Sequence, residues 1–184
     1  MKTALAALVF AGALCAATQV FELDPSKTEI GFVVHSTLHT VHGKFQLKRG
    51  SLRLDSDTGQ ASGEIVIDVA SGDSGSQSRD KRMQKEVLES QKYPEAIFTP
   101  DRFTGHLAAQ GKSQIDVHGR FKIHGADHEM TLRFDVEADN GQYTAASQFE
   151  IPYIQWGMKN PSNFLLKVDD KAQMEVRAVA KAKP

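Results

Sequence analysis

Three histidines within eight positions, His35, His39 and His42, are the residues whose types and spacing could do chemistry. On a helix, positions i, i+4 and i+7 share one face and would present three imidazoles to a metal. On strands, His35 and His39 fall on either side of a turn and the group scatters. Residues 33–45 include Val33, Val34, Thr37, Thr40 and Val41 and run into Gly43, a composition that favours strand, turn, strand. No acid lies between Glu29 and Asp55 to stand behind an imidazole, as metal-bound histidines require. The histidines therefore read as rim residues, solvated or bonded to nearby backbone. The alternative is an exported metal-dependent hydrolase built on His35, His39 and His42.

Two other stretches invite a catalytic reading. Gly72-Asp73-Ser74-Gly75 copies the nucleophile turn of trypsin-like proteases, but such an enzyme needs two barrels with the serine late in the chain. A Ser/Gly turn entering a helix explains it better. Asp169-Asp170 has no partner histidine, which leaves acid–base catalysis without a centre. The residues single out no catalytic group, no metal and no cofactor.

The elements that must position these residues come from the rest of the chain. Lys2 followed by an apolar run from Ala4 to Leu14 and the small residues Ala16 and Ala17 reads as a secretory signal peptide, residues 1–17, cleaved near Ala17. Leu14 stands where a lipoprotein signal needs a small residue. Cleavage removes Cys15, the one cysteine, so no disulfide or thiolate chemistry is expected of residues 18–184, read as a single domain. The formal charge of −1 becomes −2 once Lys2 is gone, and no basic stripe interleaved with aromatics appears, which speaks against nucleic acid. No second apolar stretch could anchor the chain, so it is not expected to be an integral membrane protein; a homodimer stays open.

From Val20 onward the pattern has period two: Ile30, Phe32, Val34; Leu52, Leu54; Ile65, Ile67, Val69; Ile115, Val117, Phe121, Ile123; Met130, Leu132, Phe134, Val136; Phe149, Ile151; Met174, Val176, Ala178. These are strands with one buried and one wet face. Turns are expected at Asp24-Pro25-Ser26, Lys48-Arg49-Gly50, Asp55 to Gly59, His124 to Asp127 and Asp139-Asn140-Gly141. About eight strands with short gaps predict an all-β, antiparallel sandwich or barrel, closure being favoured. One run, "RDKRMQKEVLES", predicts a short helix across the barrel, with Ser78 as N-cap and an apolar stripe of Met83, Val87 and Leu88. It ends before Tyr93-Pro94.

Phenylalanine is the other signal. Of ten in the chain, most outside the leader occupy inward positions, where they either fill a small barrel or line a lumen that holds one slender apolar ligand.

The ordered motifs "FELDPSKTEIGFVVHSTLHTVHGKF", "SGEIVIDVASGDSGSQSRDKRM", "YPEAIFTP", "VHGRFKIHGADHEMTLRF" and "WGMKNPSNFLLKVDDKAQMEV" resemble the YceI-like, polyisoprenoid-binding family of bacterial exported proteins over nearly all of the chain beyond the leader. The resemblance implies an eight-stranded lipocalin-like barrel with an elongated hydrophobic channel for isoprenoid or comparable tails, and no metal or catalytic residue. Asp24, Gly43, Phe45, Arg79-Asp80, Tyr93-Pro94, Phe98, Gly119 and Gly125 match framework positions of the family, and His35 matches a position often histidine. His39 and His42 lie outside the pattern. The chain departs from it at Lys81-Arg82-Met83, where many members follow the Arg-Asp motif with histidine and leucine.

Together these readings predict a periplasmic carrier or sequestering protein for a long apolar lipid, polyisoprenoid or isoprenoid quinone. The expected channel residues are Phe32, Val34, Phe45, Ile65, Ile67, Phe98, Ile115, Val117, Phe121, Leu132, Phe134, Phe149 and Trp156.

Overall fold

The computed structural model describes residues 18–183, so the expected leader, with Cys15, lies outside the described residues. Nine antiparallel strand segments form one sheet: β1 (Thr18–Leu23), β2 (Glu29–His35), β3 (Thr40–Asp55), β4 (Gln60–Asp73), β5 (Glu95–His106), β6 (Gly111–Ile123), β7 (Ala126–Asp139), β8 (Gln142–Ile151) and β9 (Ala172–Lys183). Neighbours in sequence pair from β2 to β9, and β9 returns to β2, which closes the barrel. β1 and β2 both lie between β3 and β9, β1 beside residues 51–55 and β2 beside residues 40–45. They are two halves of one strand position, interrupted at Asp24–Thr28, so the barrel has the eight positions that the alternation predicts.

Two of the expected turns are two-residue hairpins of the type that matches strand twist. His124-Gly125 and Asn140-Gly141 all have positive φ, 51° and 81° in the first pair and 48° and 77° in the second. Lys48-Arg49-Gly50 is not a turn. β3 runs straight through it, with a register shift against β4 between Leu47 and Arg49. What resembled a turn signal is a β-bulge, which re-aims the strand without ending it. A second register shift, between Pro100 and Arg102 opposite β6, accommodates a proline that cannot donate to the ladder.

Between β4 and β5 lies α1 (Gln77–Arg82), with Ser76 rather than Ser78 at the N-cap position and no side-chain capping bond, continued by a turn of π-helix, Met83–Val87. The widened turn is closed by the Leu88 amide donating to the Met83 carbonyl at 2.9 Å. No helix among the described residues is long and apolar enough to cross a membrane.

The two ends of the barrel differ. At the end formed by residues 55–60, 106–111 and 139–142, Phe21, Leu54, Ala61, Phe103, Ala138 and Tyr143 are all buried, with Phe21 edge-on to Tyr143 at 4.9 Å between ring centroids. Aromatic side chains close that end. The other end is framed by the β2–β3 hairpin, α1 and the long β8–β9 connection.

Candidate functional site

Strand parity turns Ile30, Phe32 and Val34 of β2 inward, opposite Val41 and Phe45 of β3 and Ile65, Ile67 and Val69 of β4. Phe121 and Ile123 of β6, Leu132 and Phe134 of β7 and Phe149 of β8 do the same across the barrel. These side chains surround a cavity of about 310 Å³ that reaches the framed end. Glycines admit the larger rings at two places. A Cβ on Gly43 would fall on the Phe32 ring, and one on Gly72 on the Phe45 ring.

Below this cavity lies a smaller one of about 80 Å³ among Phe21, Leu52, Leu54, Ile115, Val117 and Tyr143. Leu23, Ile65, Phe98, Phe134 and Ala178 border both and form a partition at mid-barrel.

Ten of the thirteen expected channel residues border the larger cavity: Phe32, Val34, Phe45, Ile65, Ile67, Phe98, Phe121, Leu132, Phe134 and Phe149. Ile115 and Val117 face inward as parity predicts, yet sit beside the smaller cavity at the closed end. Trp156 borders neither. It lies on the β8–β9 connection and stacks on His128, with ring centroids 4.0 Å apart and planes within 7°. Burial pushes the His128 imidazole below its ordinary pKa, with Asp127 opposing, and its buried Nε2 has no partner.

The mouth carries the polar groups. Arg79 donates from Nε to the Ser74 hydroxyl at 2.8 Å and from Nη2 to the Ser74 carbonyl at 2.6 Å. The Ser74 amide and hydroxyl both donate to Asp80 Oδ1. The Ser74 hydroxyl, accepting from Arg79 and donating to Asp80, ties the turn after β4 to the start of α1. Arg82 donates to the Pro161 carbonyl at 3.3 Å, and Lys159 reaches Glu86 at 3.1 Å. These contacts tie α1 and the π-turn to the β8–β9 connection across the mouth. Lys159, with Arg82 adding, holds the Glu86 carboxyl below the usual carboxylate range. Tyr153, on the cavity wall, donates from its hydroxyl to the Asp169 carbonyl; burial, with Asp170 and Asp169 nearby, pushes its pKa up to about 12.

The three histidines do not converge. His35 Nδ1 lies 2.9 Å from Thr40 Oγ1, His39 borders the cavity mouth, and His42 is exposed on β3 opposite Val33. Among the described residues, no three His, Cys, Asp or Glu side chains gather at metal-ligating distances.

Sequence reasoning named Arg79 and Ser74 in other roles and missed Met158, Leu166 and Val168; all five border the cavity. The period-two signal is interrupted between Ile151 and Met174, and nothing in a loop's composition says which side chains turn back over a lumen.

A closed antiparallel barrel around an apolar cavity is now matched by comparison. A family model describing a YceI-like domain matches residues 21–180. The chain belongs to the YceI-like family. No curated protein matches it. Among solved structures, it is similar to a polyisoprenoid binding domain from Saccharophagus degradans implicated in plant cell wall breakdown, at 18% identity over 89% of this chain and 98% of that one, with a TM-score of 0.71. It is similar to BcnA from Burkholderia cenocepacia at 18% identity over 85% and 98%, TM-score 0.69. The YceI protein of Campylobacter jejuni matches at 17% identity over 82% and 90%, TM-score 0.64. At such identities the likeness is one of fold. For this YceI-like chain, fold and cavity together support a binding role.

Proposed function

We propose that the protein is a periplasmic carrier or sequestering protein for one long apolar molecule: a polyisoprenoid, an isoprenoid quinone or another lipid tail. The observation that carries this reading is the cavity, walled by aliphatic and aromatic side chains over its whole depth, with charge confined to its mouth. Its volume of about 310 Å³ falls at the lower edge of the range for ligand sites, about 300–1,000 Å³. Each methylene moved from water into such a site contributes about 0.8 kcal/mol, so two or three isoprene units would be retained by burial alone. No metal or cofactor enters this reading. The periplasmic part of the reading rests on the signal peptide expected at residues 1–17.

Native mass spectrometry of the protein purified from its own periplasm tests this. A lipid-sized adduct is expected, and extraction then identifies the ligand. A mature protein that arrives empty and retains no apolar probe would overturn the reading, and a stoichiometric zinc adduct would favour the hydrolase.

A further inference from the structure

Among the described residues, the large apolar side chains left exposed are Leu38, Phe164 and Leu165, at 72%, 99% and 80% of full accessibility. Single exposed apolar residues are ordinary. Here all three stand at one place, the rim of the cavity. Leu38 is at the tip of the β2–β3 hairpin, where the Ser36 amide donates to the His39 carbonyl at 3.1 Å. Phe164 and Leu165 are the central residues of a turn in which the Asn163 amide donates to the Leu166 carbonyl at 2.8 Å. Asn163 Oδ1 accepts from the Leu165 and Leu166 amides at 2.9 and 2.8 Å. Turn tips ordinarily carry Gly, Asn, Asp or Ser. These two carry leucine and phenylalanine instead.

The tips are zipped together. The Thr37 amide donates to the Lys167 carbonyl at 2.9 Å, Asp169 donates to the His35 carbonyl at 2.9 Å, and Ser36 bridges Val168. Leu166, Val168, Ser36 and His39, next to the exposed residues in sequence, border the cavity. The apolar surface is thus continuous from the crest into the lumen. Residues 35–45 and 159–168 contain Lys44, Lys159, Lys167 and the three histidines and no Asp or Glu; Lys159 is paired with Glu86 and Lys44 lies opposite Asp73, which leaves Lys167 as the cation beside the exposed side chains. The carboxylates that follow, Asp169 and Asp170, are close enough to Tyr153 to raise its pKa.

We propose that this crest docks the mouth onto an anionic lipid bilayer. Side chains that project from turn tips offer no concavity for a shaped partner, whereas a fluid acyl layer closes around them, and Lys167, two residues from Leu165, fits anionic headgroups. Docking there would let a tail pass from bilayer to cavity without crossing water. That step rests on the carrier reading; the docking itself does not.

Flotation of the mature protein with vesicles of phosphatidylethanolamine and phosphatidylglycerol decides the matter. The wild type floats with the vesicles, and the triple variant Leu38→Ser, Phe164→Ser, Leu165→Ser loses at least tenfold in bound fraction while melting within a few degrees of the wild type. As a second readout that leaves the other tip residues in place, an environment-sensitive fluorophore on Phe164→Cys shifts to the blue on adding vesicles. A wild type that does not float, a triple variant that floats equally, or a label that stays in water overturns the proposal. So does unchanged flotation accompanied by a dimer that the triple variant dissolves, because a second copy then covers the crest. Uptake of an apolar probe from detergent solution is read in parallel: its absence in the wild type sinks the carrier reading, and flotation still judges the crest.

Discussion

The two ends of this barrel are built from the same alternating strands and do opposite things. At the closed end, Phe21, Leu54, Phe103 and Tyr143 are buried, Phe21 packs edge-on against Tyr143, and about 80 Å³ is left open. At the open end, Phe32 and Phe45 pack on each other with ring centroids 5.2 Å apart, yet with Phe121 and Phe149 they leave about 310 Å³ open. The number of aromatic rings does not decide between them. What differs is the lid: short turns and β1 bring side chains over the closed end, while α1 and the β8–β9 connection bridge the open end mostly by polar contacts. Apolar side chains stabilise a fold when they touch one another, and they make a site when they face a void.

The largest effect that follows is at the closed end. Phe21→Ala removes a ring packed on Tyr143 and should cost about 3–5 kcal/mol of unfolding free energy in denaturant titrations, with probe retention per folded molecule unchanged. An equal loss of retention would show that the ends are one site. Next comes the partition. Phe134 touches both cavities, so Phe134→Ala joins them; it should cost less, about 1–3 kcal/mol, and shift preference toward longer isoprenoid probes in competition. Within the set Phe32→Ala, Phe121→Ala, Phe134→Ala and Phe149→Ala, at least one change should lower retention far more than it lowers the melting temperature. If stability and retention fall in proportion at all four, the lumen is a packed core and the contrast between the ends disappears.

A smaller effect is expected from pH. His128 is buried under Trp156, and that burial holds its folded pKa below the ordinary imidazole value of about 6.5. The unfolded chain then takes up a proton before the folded chain does, so this contribution to stability is present above pH 6.5 and is lost as pH falls below it. The lowered carboxylates, Glu86 and Glu95 among them, act only at lower pH, where their own contribution is lost as pH falls through their folded pKa values. Melting temperature should therefore drop between about pH 6.5 and 5, and His128→Gln should flatten that drop. A wild-type profile flat across that window contradicts it. Smallest of all, His39→Ala combined with His42→Ala should leave melting and probe uptake nearly unchanged; stoichiometric zinc lost together with function in the double variant would contradict that.

Much of the wall was legible because inward and outward residues alternate locally, as at Phe32 and Val34 or Leu132 and Phe134. Height along the axis is not local. Parity places Ile115 and Val117 inward, but their level in the barrel depends on pairing with β7, where Ile115 faces Phe134 and Val117 faces Leu132. For the same reason β3 read as two strands, its bulge at Lys48 having the composition of a turn. Trp156 lies in the gap between the alternating residues of β8 and β9, so its packing on His128 follows from the path of a loop. The mouth was the least legible part: Arg79 is held by Ser74, and Arg82 by Pro161, through contacts that no periodicity encodes.

The split of one strand position between β1 and β2 bears on how the chain comes to its final form. β9 pairs with β1, β2 and β8, and Glu29 meets Arg177 across almost the whole chain. Until β9 arrives, β8 and β2 are open edges of an unclosed sheet with every inward phenylalanine accessible, the kind of surface that recruits other chains. Loop-closure entropy delays so distant a pairing, which makes the last strand the slow step in maturation and its interruption a route to aggregation.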